Sequence, residues 1–219
     1  SVWTIPAAAV VQAPTSNAAT WFNANWSAAM GATNHRLDVA GASDFASCLA
    51  GYENRQEGIM TTCVVTGLTA GTEYFYRLRA ENSGGVSANS ATQSAWTVPP
   101  APVALAAMAA ATNDFVADWA AALSATNYFL DVATVSNFSS FVVGYQNIAV
   151  GDATNYPVTG MVSGLRYYYR LRAQNIGGIS TNSNVRSVVL ARANQVITNF
   201  PAIGDQVETN VVHLVGQAS

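Results

Sequence analysis

One stretch of alternating side chains occurs twice in this chain and constrains its fold more than any other feature. Residues 67–85 read GLTAGTEYFYRLRAENSGG, and residues 160–178 read GMVSGLRYYYRLRAQNIGG. In the first copy, one face carries Tyr74, Tyr76, Leu78 and Ala80. The opposite face carries Phe75, Arg77, Arg79 and Glu81. A period of two predicts a half-buried β-strand rather than a helix, and the glycine pair that follows predicts a tight turn.

The repeat extends over nearly the whole chain at a constant offset of 93 residues. Trp3-Thr4-Ile5-Pro6 corresponds to Trp96-Thr97-Val98-Pro99, and Trp26 corresponds to Trp119. Short alternating segments, among them a predicted strand over residues 46–52, follow one another about every ten residues, separated by Gly, Asn, Ser and Thr, which is typical of an all-β sandwich. We therefore predict an all-β chain of two tandem seven-stranded immunoglobulin-like sandwiches, over residues 1–98 and 99–193. A short terminal β segment over residues 194–219 follows.

Each repeat also carries a combined motif. It has a tryptophan on the second strand, then an aromatic-x-aliphatic third strand, then G-L-x-x-G-T-x-Y-x-Y-x-L-x-A-x-N and a glycine turn. This motif resembles the fibronectin type III domain, especially the variants repeated in large secreted bacterial proteins. The resemblance covers roughly residues 6–191 and implies a corner contact between Leu68 and Tyr74, and between Met161 and Tyr167. Met161 and Leu165 depart from the usual Leu and Thr of the family.

Composition excludes several classes of function. The net charge is −3, all nine basic residues are arginine, and no basic run occurs, so we expect no nucleic-acid partner. No continuous apolar stretch reaches 18 residues, so we expect no membrane insertion. Only 10% of the residues are charged, which leaves a surface of Ser, Thr, Asn, Gln and Ala. Such surfaces are common on extracellular proteins, and we predict a secreted or cell-surface location.

The two cysteines, Cys48 and Cys63, both lie in the first repeat, and their counterparts in the second are Phe141 and Tyr156. Two positions that are both cysteine in one copy and both aromatic in the other are plausible neighbours in space. The sequence therefore favours a disulfide between them, which would suggest an oxidising compartment. The alternative is a pair of buried free thiols that pack as small hydrophobic groups. Metal binding by two isolated cysteines is disfavoured, because four ligands are the norm.

Residues that could support catalysis are sparse. His35 begins a core strand where the second copy has Tyr128, so we predict a packed core residue rather than a catalytic base. His213 has no carboxylate or cysteine close in sequence, and Asp152 reads as a turn residue. No P-loop, dinucleotide, G-x-S-x-G or H-E-x-x-H motif occurs. We predict no catalytic residues, no metal site and no cofactor.

The outward face of the long strand is the best candidate for an interaction surface. Asp38 and Asp131 should lie opposite its arginines and form cross-strand ion pairs that stabilise the sheet. Aromatic and arginine side chains together are typical of interface hot spots and also suit sugar stacking. Protein contact, weak glycan contact and simple cross-strand packing therefore stay open. The candidate residues are Phe75, Arg77, Arg79, Tyr168, Arg170 and Arg172.

The last segment does not continue the repeat. From residue 196 it has two alternating runs around a Gly-Asp turn and resembles the opening strands of a bacterial immunoglobulin-like domain. Two strands alone are marginally stable in water, so the segment needs a partner. It could pack on the second domain, pair with a neighbouring chain by strand addition, or stay disordered. The strand-exchange candidates are Val207, Val211, Val212, Leu214 and Val215.

These features predict a non-catalytic extracellular structural or adhesive module. It would act as a rigid spacer with a Pro-Pro linker at residues 99–100 and would present its faces to other protein chains, possibly copies of itself. One alternative is a subunit of a self-assembling filament or surface layer, joined by strand addition through the C-terminal segment. Another is an accessory module of a polysaccharide-degrading enzyme, with weak glycan binding through Phe75 or Tyr168.

Overall fold

A computed structural model describes residues 3–109 and 111–192 of the chain. The terminal segment 194–219 lies outside the described residues, and so do its strand-exchange candidates Val207, Val211, Val212, Leu214 and Val215. Within the described ranges every named element is a β-strand and every strand pairing is antiparallel. None of the described residues belongs to a helix long and apolar enough to cross a membrane.

The first repeat folds into two sheets that face each other. The first sheet has the order β1-β2-β5, and in the second sheet β4-β3-β6 is followed by β7 and β8, which both pair with β6. The strands are β1 (Val10–Thr15), β2 (Trp21–Ser27), β3 (Asn34–Ala40), β4 (Arg55–Gln56), β5 (Thr62–Thr66), β6 (Glu73–Asn82), β7 (Gly85–Val86) and β8 (Gln93–Trp96). Because β7 and β8 follow one another along the same edge of β6, they act as one interrupted edge strand.

The second repeat has the same topology with its first strand divided in two. β9 and β10 both pair with β11, which pairs with β14, and the second sheet has the order β13-β12-β15 followed by β16 and β17. The strands are β9 (Val103–Ala104), β10 (Met108–Ala109), β11 (Phe115–Ala120), β12 (Asn127–Ala133), β13 (Ile148–Ala149), β14 (Asn155–Val158), β15 (Arg166–Asn175), β16 (Gly178–Ile179) and β17 (Arg186–Val189). The predicted all-β fold of two tandem fibronectin type III-like sandwiches is confirmed.

The alternation that was read from the sequence is visible along the long strand of each domain. In β6 the side chains of Tyr74, Tyr76, Leu78 and Ala80 are buried, and those of Phe75, Arg77, Arg79 and Glu81 are only partly covered. Of these buried side chains, Tyr74, Tyr76 and Leu78 belong to one core cluster with Trp26 and Phe22 of the opposite sheet, and β15 packs with Trp119 and Phe115 in the same way. The period of two therefore does define the core face.

One predicted strand is wrong. The sequence pattern placed a strand over residues 46–52, but the backbone there forms turns, with a single bridge between Ala40 and Cys48. The physical reason is the backbone conformation around that segment, because Phe45, Gly51 and Asn54 have φ of 56°, 79° and 56°. These positive φ values are incompatible with extended pairing. The edge strand forms only later, as the short β4.

His35 is a core residue, as predicted. It is buried beside Trp26, with ring centroids 6.1 Å apart. Its Nε2 atom accepts a hydrogen bond from the Ala29 backbone N–H at 3.3 Å, and its Nδ1 atom lies 3.0 Å from the Gly58 carbonyl oxygen. In the second domain the Tyr128 hydroxyl accepts the equivalent N–H, that of Ala122, at 2.7 Å. The imidazole thus replaces a phenol as the acceptor for one loop amide.

The corner contact implied by the family resemblance is also present. Leu68 and Tyr74 are buried in the same cluster, and so are Met161 and Tyr167 in the second domain. The Tyr74 hydroxyl accepts a hydrogen bond from the Thr69 N–H at 2.9 Å. The Tyr167 hydroxyl accepts one from the Val162 N–H at 2.8 Å. Each tyrosine therefore fixes the turn that leads into its own long strand.

Replacing either corner tyrosine should destabilise its own domain. Tyr74→Phe keeps the ring but leaves the Thr69 amide without its acceptor, so we expect a loss of about 1–2 kcal/mol in the unfolding free energy. Tyr167→Phe should cost the second domain a similar amount. Urea unfolding followed separately in each domain by NMR measures both changes. Equal stability of Tyr74→Phe and the parent chain would contradict the assigned role.

Candidate functional site

The first candidate surface is the outward face of the second sheet, where one buried carboxylate organises the surrounding charges. The Asp38 side chain is only 3% exposed. It accepts hydrogen bonds from Arg77 Nε at 3.2 Å, from Arg79 Nη2 at 3.1 Å and from the Asn54 backbone N–H at 2.7 Å. Because Asp38 lies opposite Arg77 in the β3–β6 register, sheet pairing itself brings these charges together.

The second domain repeats this arrangement. Asp131 accepts from Arg170 Nε at 3.0 Å and from the Asn147 N–H at 2.7 Å, and Arg172 Nη2 lies 3.7 Å from it. Arg172 also donates to the Asn147 side-chain oxygen at 2.7 Å. The predicted cross-strand ion pairs are therefore confirmed in both domains. The same cluster at the same offset identifies it as part of the shared fold.

A phenylalanine covers each cluster, and sequence reasoning missed it. The Arg77 guanidinium carbon lies 4.1 Å from the centre of the Phe45 ring, and the Arg170 guanidinium carbon lies 4.2 Å from that of Phe138. Both phenylalanines have positive φ, in turns where the preceding Asp44 or Asn137 side chain accepts a backbone N–H. The sequence signal that could have found them is a phenylalanine that directly follows Asp or Asn in both repeats, at the same offset of 93 residues.

This geometry limits what the face can do chemically. Phe75 and Tyr168 are partly covered and lie beside the arginines, as the alternation predicted. The arginine side chains are about three-quarters buried and already bonded to a carboxylate. Within residues 3–109 and 111–192, no group of three His, Cys, Asp or Glu side chains is placed to hold a metal ion. The face can offer shape, aromatic surface and residual positive charge. Its role in partner binding stays a prediction.

The Asp38 cluster should contribute measurably to the stability of the first domain. A double-mutant cycle of Asp38→Ala and Arg77→Ala should give a coupling of about 1 kcal/mol or more, because the carboxylate is buried and the pair is hydrogen-bonded. Chemical unfolding of the four chains measures the coupling. The cycle of Asp131→Ala with Arg170→Ala is the matched control and should give a similar value. Zero coupling in both cycles would remove the claim.

The cysteines differ from the disulfide prediction, because both are free thiols in the structure. Cys63 lies on β5 of the first sheet with its side chain in the core, whereas Cys48 lies beside β3 of the second sheet. Of their counterparts, Phe141 packs on Phe138 with ring centroids 6.1 Å apart, and Tyr156 packs against the core of the second domain. Burial and the neighbouring Glu57 carboxylate raise the pKa of the Cys63 thiol to about 12.

Alkylation should therefore distinguish the two thiols. We expect the native chain to take up one alkyl group without reductant, at the partly exposed Cys48. Cys63 should react more slowly, because its side chain is buried and so little of it is thiolate near neutral pH; burial raises the pKa of the Cys48 thiol as well. In denaturant both should react, and intact mass spectrometry counts the groups. A denatured chain that labels only after reduction would show that the disulfide does form.

The second candidate surface is the junction between the domains. The linker, taken here as residues 96–99, is hydrogen-bonded into the fold of the first domain. The Thr97 hydroxyl donates to the Thr69 carbonyl at 2.8 Å and accepts from the Thr72 N–H at 2.9 Å. The Val98 amide donates to the Ala18 carbonyl at 3.0 Å, and the Val98 carbonyl accepts from the Gly71 N–H at 2.9 Å. The linker is thus fixed to the first domain beyond the end of β8.

The second domain holds the same linker from the other side, through the turn between β15 and β16. The Asn175 side-chain amide donates to the Thr97 carbonyl at 3.0 Å and to the Ser124 hydroxyl at 3.1 Å. Its side-chain oxygen accepts the Gly177 N–H at 2.8 Å. We call this Asn-x-Gly-Gly turn, residues 175–178, the clasp. The clasp therefore joins the linker and the loop after β11 in one hydrogen-bonded unit.

The glycine pair in the clasp serves two different purposes. Gly178 has φ of 133°, which a side chain rarely adopts, as the sequence pattern predicted. Gly177 is needed instead for space, because a Cβ there would lie 2.5 Å from the Trp96 carbonyl oxygen. The domains also meet directly, since a Cβ on Gly71 would lie 2.6 Å from the Leu123 carbonyl oxygen. The junction is therefore closely packed.

No family model matches the sequence. Chitinase A1 of Niallia circulans is 28% identical over 145 residues, which cover 60% of this chain and 19% of that protein. The chain thus spans about a fifth of the length of this curated relative.

Two solved structures have similar domains in tandem. One is the crystal structure of chicken CNTN1 FN1–FN3 domains, at 15% identity and a TM-score of 0.46, covering 87% of this chain and 69% of that one. The other is a two fibronectin type III domain segment from chicken tenascin, at 18% identity and a TM-score of 0.45, covering 84% of this chain and 98% of that one.

Proposed function

We propose that these residues act as a non-catalytic spacer that holds neighbouring parts of an extracellular protein at a fixed separation and orientation. The observation that carries this proposal is the linker, which is hydrogen-bonded to both domains at once. Contacts between domains of one chain are commonly small and leave relative motion as the default. A linker that is hydrogen-bonded to both domains restricts that freedom, so each added domain would extend the molecule by a defined step.

The extracellular and adhesive part of the proposal rests on composition and fold. The low charge load and the fibronectin type III-like fold both favour a secreted or cell-surface location. Partner contact would use the outward sheet faces around Phe75 and Tyr168, with other protein chains or copies of this one as partners. Filament or surface-layer assembly through residues 194–219 stays an alternative that depends entirely on residues outside the described ranges.

An accessory role in a polysaccharide-degrading enzyme is the second candidate, because the chain is similar to part of a protein named Chitinase A1. In that case the two domains would still act as a spacer, now between other parts of an enzyme. Glycan contact would fall on Phe75 or Tyr168, the partly covered aromatic side chains of the outward face. Titration with chitin oligosaccharides separates a glycan-binding spacer from a passive one.

A single methyl group should test the spacer proposal. Gly177→Ala places a Cβ against the Trp96 carbonyl without backbone strain, so it should push the linker from the clasp and let the domains tumble separately. We expect the parent domains to share one rotational correlation time by ¹⁵N relaxation, and the variant domains to show shorter ones. Gly84→Ala, the equivalent change in the first domain, is the matched control and should leave the junction unaltered. Unchanged tumbling in Gly177→Ala would contradict the proposal.

A further inference from the structure

The first domain has a clasp of its own that already holds a copy of the linker. The Asn82 side-chain amide donates to the Thr4 carbonyl at 2.9 Å and to the Gly31 carbonyl at 3.1 Å. Its side-chain oxygen accepts the Gly84 N–H at 2.8 Å. A Cβ on Gly84 would lie 2.7 Å from the Trp3 carbonyl oxygen. These contacts reproduce those of the Asn175 clasp, so residues 3–6 occupy the position of the interdomain linker.

The apolar side chains around this linker copy are more exposed than their counterparts at the junction between the two domains. Ile5 is 56% exposed, whereas its counterpart Val98 is 7% exposed. Met30 is 93% exposed, whereas its counterpart Leu123 is 58% exposed beside Gly71. With Trp3, also 55% exposed, Ile5 and Met30 form an apolar patch at this end of the domain. At the junction between the two domains, Val98 is buried and the first domain's Gly71 lies against the Leu123 backbone.

We propose that this patch, made of Trp3, Ile5 and Met30, is the docking surface for another domain of the same kind, joined in tandem directly ahead of Trp3. The inference rests on the proposed spacer function and gives that spacer a repeating unit. The docked domain would set its turn equivalent to residues 69–72 against Met30 and Gly31. Its carbonyl equivalent to that of Ala18 would accept the Ile5 amide.

The sequence specifies what type of domain fits. Thr97 hydrogen-bonds the turn of the domain before it, and Thr4 has the same residue type at the equivalent position but is exposed. After the second domain, the equivalent position is Leu190, which is buried in that domain's own core. A threonine at position 4 therefore matches a preceding domain like the first, with the turn sequence Thr-Ala-Gly-Thr, and not one like the second.

A fusion chain tests this docking. A second copy of residues 3–95 placed ahead of Trp3 keeps the 93-residue spacing of the repeat. We expect small-angle X-ray scattering of this three-domain fusion to match a shape in which both junctions have the domain orientation that the structure shows at residues 96–99. Gly84→Ala in the original copy should leave the junction of the natural chain unaltered, because it displaces only residues 3–6 there. In the fusion the same change should make the new junction flexible, with a larger maximum dimension.

The controls separate this inference from the spacer proposal. If the added copy is loosely tethered and Gly84→Ala changes nothing, while Gly177→Ala still loosens the original junction, the docking inference is wrong and the spacer stands. If Gly177→Ala also changes nothing, the spacer proposal is wrong. Asn82→Ser, which removes the amide donor to Thr4, is the second variant should Gly84→Ala fail to fold by circular dichroism.

Discussion

The linker that follows β8, at residues 96–99, is held by both domains at once, and the arrangement of the two domains depends on it. Its threonine side chain bonds the turn of the first domain, and its threonine carbonyl accepts the clasp of the second. Both sets of bonds use neighbouring atoms of one residue, so there is no chain between them that could act as a hinge. Proline at positions 99 and 100 restricts the backbone further.

A fixed junction is useful only if the bodies on either side are themselves stiff. The buried Asp38 and Asp131 contribute to that stiffness, because each ties two strands of its sheet and an edge loop to one carboxylate. The corner tyrosines do the same for the turn before β6 and β15. The turn at residues 69–72, which hydrogen-bonds the linker, is therefore held in place by the core of the first domain. The rigidity of the junction follows from the rigidity of the sandwiches.

The sequence predicted the features that depend on periodicity and failed where single atoms decide. The alternation of β6 and the ion pairs at Asp38 follow from spacing and were correct, and the corner at Tyr74 that the family resemblance implied is also present. The predicted strand over residues 46–52 was wrong because the positive φ of Phe45 and Asn54 breaks the extended backbone there, and residue types alone do not reveal a positive φ at Phe or Asn. The clasp was also missed, since Asn-x-Gly-Gly reads as an ordinary turn. Its partner, a linker carbonyl, carries no side-chain signal at all.

The most direct test of the account is to measure residual dipolar couplings of backbone N–H bonds across the unaltered chain. If the linker fixes both domains, one alignment tensor should fit the couplings of residues 10–96 and 103–189 together. The relative orientation it gives should be that of the structure. Two tensors of different magnitude would show that the domains move independently, and the account of a shared linker would then be wrong.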